Sequence, residues 1–214
     1  MKYTHIIWDF NGTLFDDIEA GISSVNTMLD ERGLAKLSGV EEYRKVFKFP
    51  IIEYYRDLGF DFDKEPYEKL APIWVDLYNA NSKYSTLQSG AVESLERCRM
   101  LGLSQVLLSA TERNMLIGQI KALNIYGYFD EIMGLDDIHA YSKRELAIQW
   151  WERNSDAIPL FIGDTEHDAD VARAIGADCV LVSNGHQSSE RLLKLGCDVF
   201  DDLPAVFKWL QLTK

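Results

Sequence analysis

His5-Ile6-Ile7-Trp8-Asp9-Phe10-Asn11-Gly12-Thr13-Leu14 runs from an apolar stretch into an acidic residue and a glycine-containing turn. A short apolar run bounded by turn chemistry reads as a strand buried on both faces, which places the Asp9 carboxylate at a sheet edge. Taken alone, the segment also suits a plain turn in which Asp9 and Thr13 shape the backbone and cap the next helix. The other strand ends of the chain decide between the two.

Runs of the same kind recur at Gln105 to Ser109, Asp130 to Gly134, Pro159 to Gly163, Cys179 to Ser183, and Val199 to Phe200. Between most of them lie segments with helical spacing, such as Ala91, Leu95, Cys98 and Leu101, or Ile117, Ile120 and Leu123. Strand alternating with helix predicts a parallel, Rossmann-like three-layer α/β/α core. The stretch 17–84 breaks the rhythm. It carries helical patterns and the aromatics Tyr43, Phe47, Phe49, Tyr54, Tyr55, Phe60, Phe62, Trp74 and Tyr78, but no convincing strand. The expectation is a helical cap at 17–84 inserted into a core of 1–16 and 85–214. Because ligands bind beyond the carboxyl ends of the strands, an insert leaving there can cover the site as a lid.

The chain has 214 residues, of which 47% are hydrophobic and 26% charged, enough to bury a sizeable core. Its net charge of -12 argues against nucleic acid and against a membrane surface as partners. An anionic substrate therefore needs positive charge gathered locally. Cys98, Cys179 and Cys197 show no ligand spacing and read as reduced fillers. No span approaches the ~18 consecutive apolar residues of a membrane helix, and no basic leader precedes an apolar stretch, so a cytoplasmic protein is expected. His5, His139, His167 and His186 share no ligand spacing and read as structural or surface residues, with His167 facing solvent.

Three further strand ends carry polar chemistry. Ser109 follows Val106-Leu107-Leu108, so its hydroxyl and the next backbone N–H, that of Ala110, suit a phosphate oxygen at a helix start; Ser109 and Glu112 also have the spacing of a capping box. Lys143 sits in Ser142-Lys143-Arg144-Glu145, a second capping-box spacing. A cation in the first turn of a helix gains nothing from the dipole, so a nearby anion explains it better, although a solvated surface lysine is the plainer reading. In Gly163-Asp164-Thr165-Glu166-His167-Asp168, two carboxylates four residues apart enter a helix from one side. With Asp9 they supply the hard oxygen ligands that suit Mg²⁺; otherwise they are solvated helix caps.

In this order and at these strand ends, Asp9-Phe10-Asn11-Gly12-Thr13-Leu14, Leu107-Leu108-Ser109, Lys143, and Gly163-Asp164 with Asp168 resemble the haloacid dehalogenase superfamily of hydrolases. The resemblance spans essentially the whole chain. The segment from Ala172 to Ala177 leading into Val180-Leu181-Val182, and the helical insert, are similar to its phosphoglycolate-phosphatase-like branch. It implies a Mg²⁺-dependent phosphohydrolase for a small phosphorylated metabolite: Asp9 attacks phosphorus, and water then hydrolyses the aspartyl-phosphate. By position, Mg²⁺ would bind the Asp9 carboxylate, the Asn11 carbonyl and Asp164, with Asp168 close by. Asn11, Gly12, Ser109, Ala110 and Lys143 would hold the phosphate.

One position departs from the pattern. Phosphatases of this family usually carry an aspartate two residues after the nucleophile, to protonate the leaving oxygen and activate water; here that residue is Asn11. General acid–base help contributes about 10² to 10⁴ in rate, or about 3 to 5 kcal/mol. Three outcomes stay open: a slow phosphatase, an enzyme for leaving groups that depart unprotonated, or a phosphate-ester binder or sensor. A branch that cleaves carbon–phosphorus bonds through an imine on a cap lysine also lacks that aspartate, and Lys36, Lys45 and Lys48 are its candidates here. The cap segment Tyr43-Arg44-Lys45-Val46-Phe47-Lys48-Phe49-Pro50 is the most basic stretch of the chain. Arg44 or Lys48 reading an anionic group of the substrate is one expectation for it, and a solvated helix face the other.

Overall fold

The computed structural model describes residues 2–136 and 142–212. In chain order it begins with β1 (His5–Trp8), β2 (Phe15–Asp16), α1 (Ile18–Glu31), α2 (Val40–Val46), α3 (Ile51–Asp57), α4 (Tyr67–Asn81) and β3 (Thr86–Leu87). There follow α5 (Ala91–Met100), β4 (Ser104–Glu112), α6 (Arg113–Ala122), β5 (Glu131–Leu135) and α7 (Lys143–Arg153). The chain continues through β6 (Pro159–Gly163), α8 (Glu166–Ala174), β7 (Asp178–Val182), α9 (Ser189–Leu192), β8 (Asp198–Phe200) and α10 (Leu203–Leu212).

Six strands form one sheet in the order β5-β4-β1-β6-β7-β8, and each neighbouring pair is parallel. Alternate side chains explain why both faces are covered. Ile6, Trp8, Leu107, Leu160 and Ile162 join α5, α6 and α10 on one face. Ile7, Val106, Leu108 and Phe161 meet Leu146, Ala147 and Trp150 of α7 and Val171 and Ala172 of α8 on the other. Continuous apolar strands of this kind are stable only in the middle layer of three. From β1 the chain winds outward through β4 and β5, then crosses to β6 on the other side, so the winding reverses at β1. The crevice at its carboxyl end is where such sheets bind ligands.

Helices α1 to α4 enclose an apolar cluster of their own, with Ile22, Val25, Met28 and Leu29 of α1 against Tyr43, Tyr54, Tyr55, Phe60 and Leu70. The aromatics of the insert are therefore largely its internal core. Strands β2 and β3 pair antiparallel and bracket this insert. Two-residue strands show no period in a sequence, and the pair was not expected. No helix among the described residues is long and apolar enough to cross a membrane.

Strand β4 differs from expectation in length. It runs on to Glu112, and α6 begins at Arg113 with the Glu112 carboxylate accepting from the Asn114 and Met115 N–H groups. Ser109 accordingly does not cap α6, because it lies inside the strand, ahead of the helix start at Arg113. The Ser142–Glu145 capping box is present, and Thr165 with Asp168 forms a second.

Candidate active site

Asp9 leaves β1 with its N–H bonded to the Ile162 carbonyl, so the turn that follows starts in register with the neighbouring β6. Gly12 holds φ +77°, and a Cβ there would lie 2.3 Å from Asp164 Oδ2. Only glycine lets the turn approach so closely. Gly185, in the loop after β7, meets the same carboxylate, since its Cβ would stand 2.2 Å from Asp164 Oδ2.

Asp9, Asp164 and Asp168 converge, each offering a carboxylate oxygen within 4.8 Å of the others, all buried. Lys143, 3% exposed, donates from Nζ to Asp9 and to Asp168 Oδ1, the latter at 2.5 Å. The capping box of α7 sets that lysine at the sheet edge, and its burial overturns the solvated-surface alternative. Asp168 uses its other oxygen on Asp164 N, Thr165 N and Thr165 Oγ1, so it caps α8 while facing the site. Asp164 accepts from Thr13 Oγ1 at 3.1 Å and His186 N at 2.6 Å.

Lys143 pairs with Asp9 and Asp168 but not with Asp164, so full ionisation of the three carboxylates would leave two negative charges in excess in a buried space. Burial therefore pushes Asp9 well above the usual carboxylate range, against the pull of Lys143, and lifts Asp164 to about 6. Burial also opposes charge on Asp168, yet Lys143 and Thr165 hold it below its ordinary value. Lys143 stays cationic above its usual range, because Asp168 and Asp9 outweigh its desolvation. Hard oxygen donors with an excess of two negative charges fit a divalent ion such as Mg²⁺.

A second set of side chains lies on the cap side of Asp9. Asp17, buried at the start of α1, accepts from the Gly12 N–H at 2.9 Å, Asn11 Nδ2 at 2.9 Å and Tyr78 Oη at 2.5 Å, and pairs with His186 Nε2 at 3.3 Å. Tyr43 Oη lies 2.8 Å from His186 Nδ1. Burial works against the imidazolium, but Asp17 and Asp164 bring His186 up to about 9. Burial likewise works against Asp17, which His186, Tyr78 and Asn11 hold below the usual range.

Several sequence expectations change here. His186 takes the structural of its two readings and not the surface one: it is buried beside the acidic cluster, and its ring ties Asp17 and Tyr43 of the insert to the loop after β7. Its signal was slight: a histidine after Asn184-Gly185 at the end of β7. His167 is half-buried and stacks on Phe49 with ring centroids 4.8 Å apart, so it does not simply face solvent. His139 lies outside the described residues. Arg44 donates from Nε to the Gly185 carbonyl and from Nη2 to the Asn184 carbonyl, which makes it a clasp between α2 and the loop after β7 instead of a reader of substrate. The Gly12 N–H is taken by Asp17 and the Phe15 carbonyl, so this residue supplies close approach and no phosphate donor. Ser109 Oγ lies 3.0 Å from Thr111 Oγ1 and 3.3 Å from Asn11 Oδ1, and Ala110 stands exposed beside it. Of the cap lysines, Lys36 pairs with Asp30, Lys48 pairs with Asp57 and Lys45 is exposed, so none of the three meets Asp9. An imine on one of them has no support.

Comparison with known proteins agrees with the geometry. Residues 6–182 match the family model of haloacid dehalogenase-like hydrolases. Phosphoglycolate phosphatase from Rhodobacter capsulatus is 25% identical over 189 residues, covering 86% of each chain. The phosphoglycolate phosphatase of Pseudomonas savastanoi pv. phaseolicola is 23% identical over 211 residues, covering 92% of this chain and 76% of its own. Among solved structures, a haloacid dehalogenase-like hydrolase from Streptococcus pneumoniae superposes with a TM-score of 0.82 at 22% identity, covering 98% and 99% of the two chains. Protein Tyrosine Kinase A of Mycobacterium tuberculosis gives 0.81 at 19% identity over 98% of each chain. Such likeness at this identity speaks to the fold and leaves activity to the site. With the family model covering most of its length, the chain belongs to the haloacid dehalogenase-like hydrolases, and it is a phosphatase-type member of them.

Proposed function

We propose that this protein is a Mg²⁺-dependent phosphohydrolase that transfers the phosphoryl group of a small phosphorylated metabolite to Asp9 and then to water. The observation that carries the reading is the buried cluster of Asp9, Asp164 and Asp168 with Lys143 at the carboxyl end of the central strand, three hard oxygen donors beside a single cationic side chain. A bound Mg²⁺ would be held by Asp9, Asp164 and the Asn11 carbonyl with Asp168 close by, and would neutralise charge on the phosphoryl oxygens.

The chain's own groups do the rest. Asp9 Oδ attacks phosphorus in line, and Lys143 orients that carboxylate while countering the charge of the phosphoryl group. Thr13 and the His186 N–H fix Asp164, and Thr165 fixes Asp168, so the acidic residues do not turn away from one another. The cap, 17–84, excludes bulk water when closed and opens to admit substrate.

Phosphate release from a panel of phosphorylated metabolites, with Mg²⁺ and with EDTA, tests the reading. Release that needs Mg²⁺ and disappears in Asp9→Asn supports it. Equal rates in wild type and Asp9→Asn remove Asp9 as nucleophile.

A further inference from the structure

By the family resemblance, position 11 is where a leaving-group acid would stand, and both side-chain N–H donors of the residue there are already occupied. Asn11 Nδ2 donates to Asp17 Oδ2 at 2.9 Å and contacts Tyr78 Oη at 2.8 Å. Its Oδ1 accepts from Thr111 Oγ1 at 2.8 Å, and Ser109 Oγ, 3.3 Å away, lies nearer to Thr111 Oγ1 at 3.0 Å. An amide has two N–H donors, and both are taken, so no donor of Asn11 is left to reach a departing oxygen.

The groups around it are equally committed. Asp17 Oδ1 takes the Gly12 N–H and His186 Nε2, and its Oδ2 takes Asn11 and Tyr78, which is four donors for four lone-pair positions. His186 has Asp17 on one ring nitrogen and Tyr43 on the other. Lys143 is turned to Asp9 and Asp168. Asp17 also fixes the identity of residue 11. A carboxylate there would replace the donating Nδ2 with an oxygen facing the Asp17 oxygen, converting a bond into buried like-charge repulsion.

Resting on the phosphohydrolase reading above, we infer that this site takes phosphoryl compounds whose leaving group departs as a stable anion, acyl phosphates and phosphates of acidic hydroxyls, and discriminates against simple alkyl phosphate esters. In the first step the Asp9 Oδ–phosphorus bond forms as the bond from phosphorus to the leaving oxygen breaks. Both electrons stay on that oxygen, which leaves as a carboxylate or phenolate without taking a proton. In the second step water oxygen bonds to phosphorus, the Asp9 carboxylate departs with its electron pair, and the water protons pass to phosphate and solvent. The aspartyl-phosphate is itself an acyl phosphate, so its breakdown meets the same requirement as the substrate.

The test is kcat/KM, with Mg²⁺, for acetyl phosphate, a series of substituted phenyl phosphates with leaving-group pKa from about 4 to about 10, and 2-phosphoglycolate as the alkyl ester. The expected result is a fall of about 100-fold or more along the series, with the alkyl ester slowest, since the missing acid is worth about 10² to 10⁴. An alkyl ester cleaved as fast as the nitrophenyl ester overturns the inference while leaving the phosphohydrolase reading intact. No release from any compound, acetyl phosphate included, ends that reading and this inference with it. Exchanging the two side chains in Asn11→Asp/Asp17→Asn restores a carboxylate at 11 without the repulsion. A folded double variant should cleave alkyl esters faster relative to aryl ones, and an unchanged preference contradicts the role given to Asp17.

Discussion

The two halves of the site differ in how their charges are balanced. On the core side, Asp9, Asp164 and Asp168 share a single lysine, and desolvation lifts Asp9 and Asp164 above their ordinary values. On the cap side, Asp17 and His186 form a neutral pair whose hydrogen bonds to Asn11, Gly12, Tyr43 and Tyr78 are complete. Unbalanced charge is what a cation and a phosphoryl transfer need, and a balanced network is what holds a turn and a cap in place. On the proposed reading, one half performs chemistry, and the other decides what geometry the chemistry meets.

The largest expected effect falls on the unbalanced half. Asp9→Asn should lower phosphate release by about 10⁴-fold or more, because the proposed nucleophile is lost. The same change removes one of three crowded carboxylates, so the melting temperature of the metal-free variant, by calorimetry in EDTA, should rise. A fall in that temperature would contradict the charge excess.

Lys143→Met does the opposite, leaving Asp9 and Asp168 without their buried cation. A loss of about 3 to 5 kcal/mol in urea unfolding is expected, together with loss of activity. The balanced half should respond less. Asp17→Asn costs about 1 to 3 kcal/mol, the penalty for leaving buried donors short of an acceptor, and lowers kcat through the loosened Asn11–Gly12 turn.

The pair His186–Asp17 also gives a pH signature. The imidazolium titrates near 6.5 when unfolded and about 9 when folded, so its contribution is complete below about 6.5 and lost as the pH rises through about 9. The melting temperature of the metal-free protein should fall across that window, and His186→Gln should flatten the fall. The smallest effect belongs to Arg44→Ala, which opens two bonds to loop carbonyls. About 1 kcal/mol or less is expected, with KM changed more than kcat because cap closure and not the reacting centre is touched.

The core half was legible in the sequence because strand ends announce themselves. Asp9, Lys143, Asp164 and Asp168 each follow an apolar run or stand in a capping box, and parallel winding forces such ends to one edge of the sheet. The cap half left little trace. Asp17 reads as an ordinary residue before a helix, and Tyr78 as one of many aromatics with helical spacing. His186 lies 169 positions from Asp17, and only the docking of the cap brings the two together. Arg44 shows the limit of charge patterning: a basic residue in an acidic chain suggested an anion, whereas backbone carbonyls at the end of β7 supply the negative ends it binds. Ser109 shows the limit of motif spacing, since Ser109 and Glu112 match a capping box while the strand continues through both.

Trapping the phosphoryl-enzyme tests the central claim most directly. Protein quenched during turnover of acetyl phosphate with Mg²⁺ is reduced with borohydride, which converts an aspartyl-phosphate to homoserine, and the peptide containing residue 9 is read by mass spectrometry. Homoserine at position 9, dependent on substrate, is the predicted result. Homoserine at another position, or sustained phosphate release with residue 9 never modified, would contradict it.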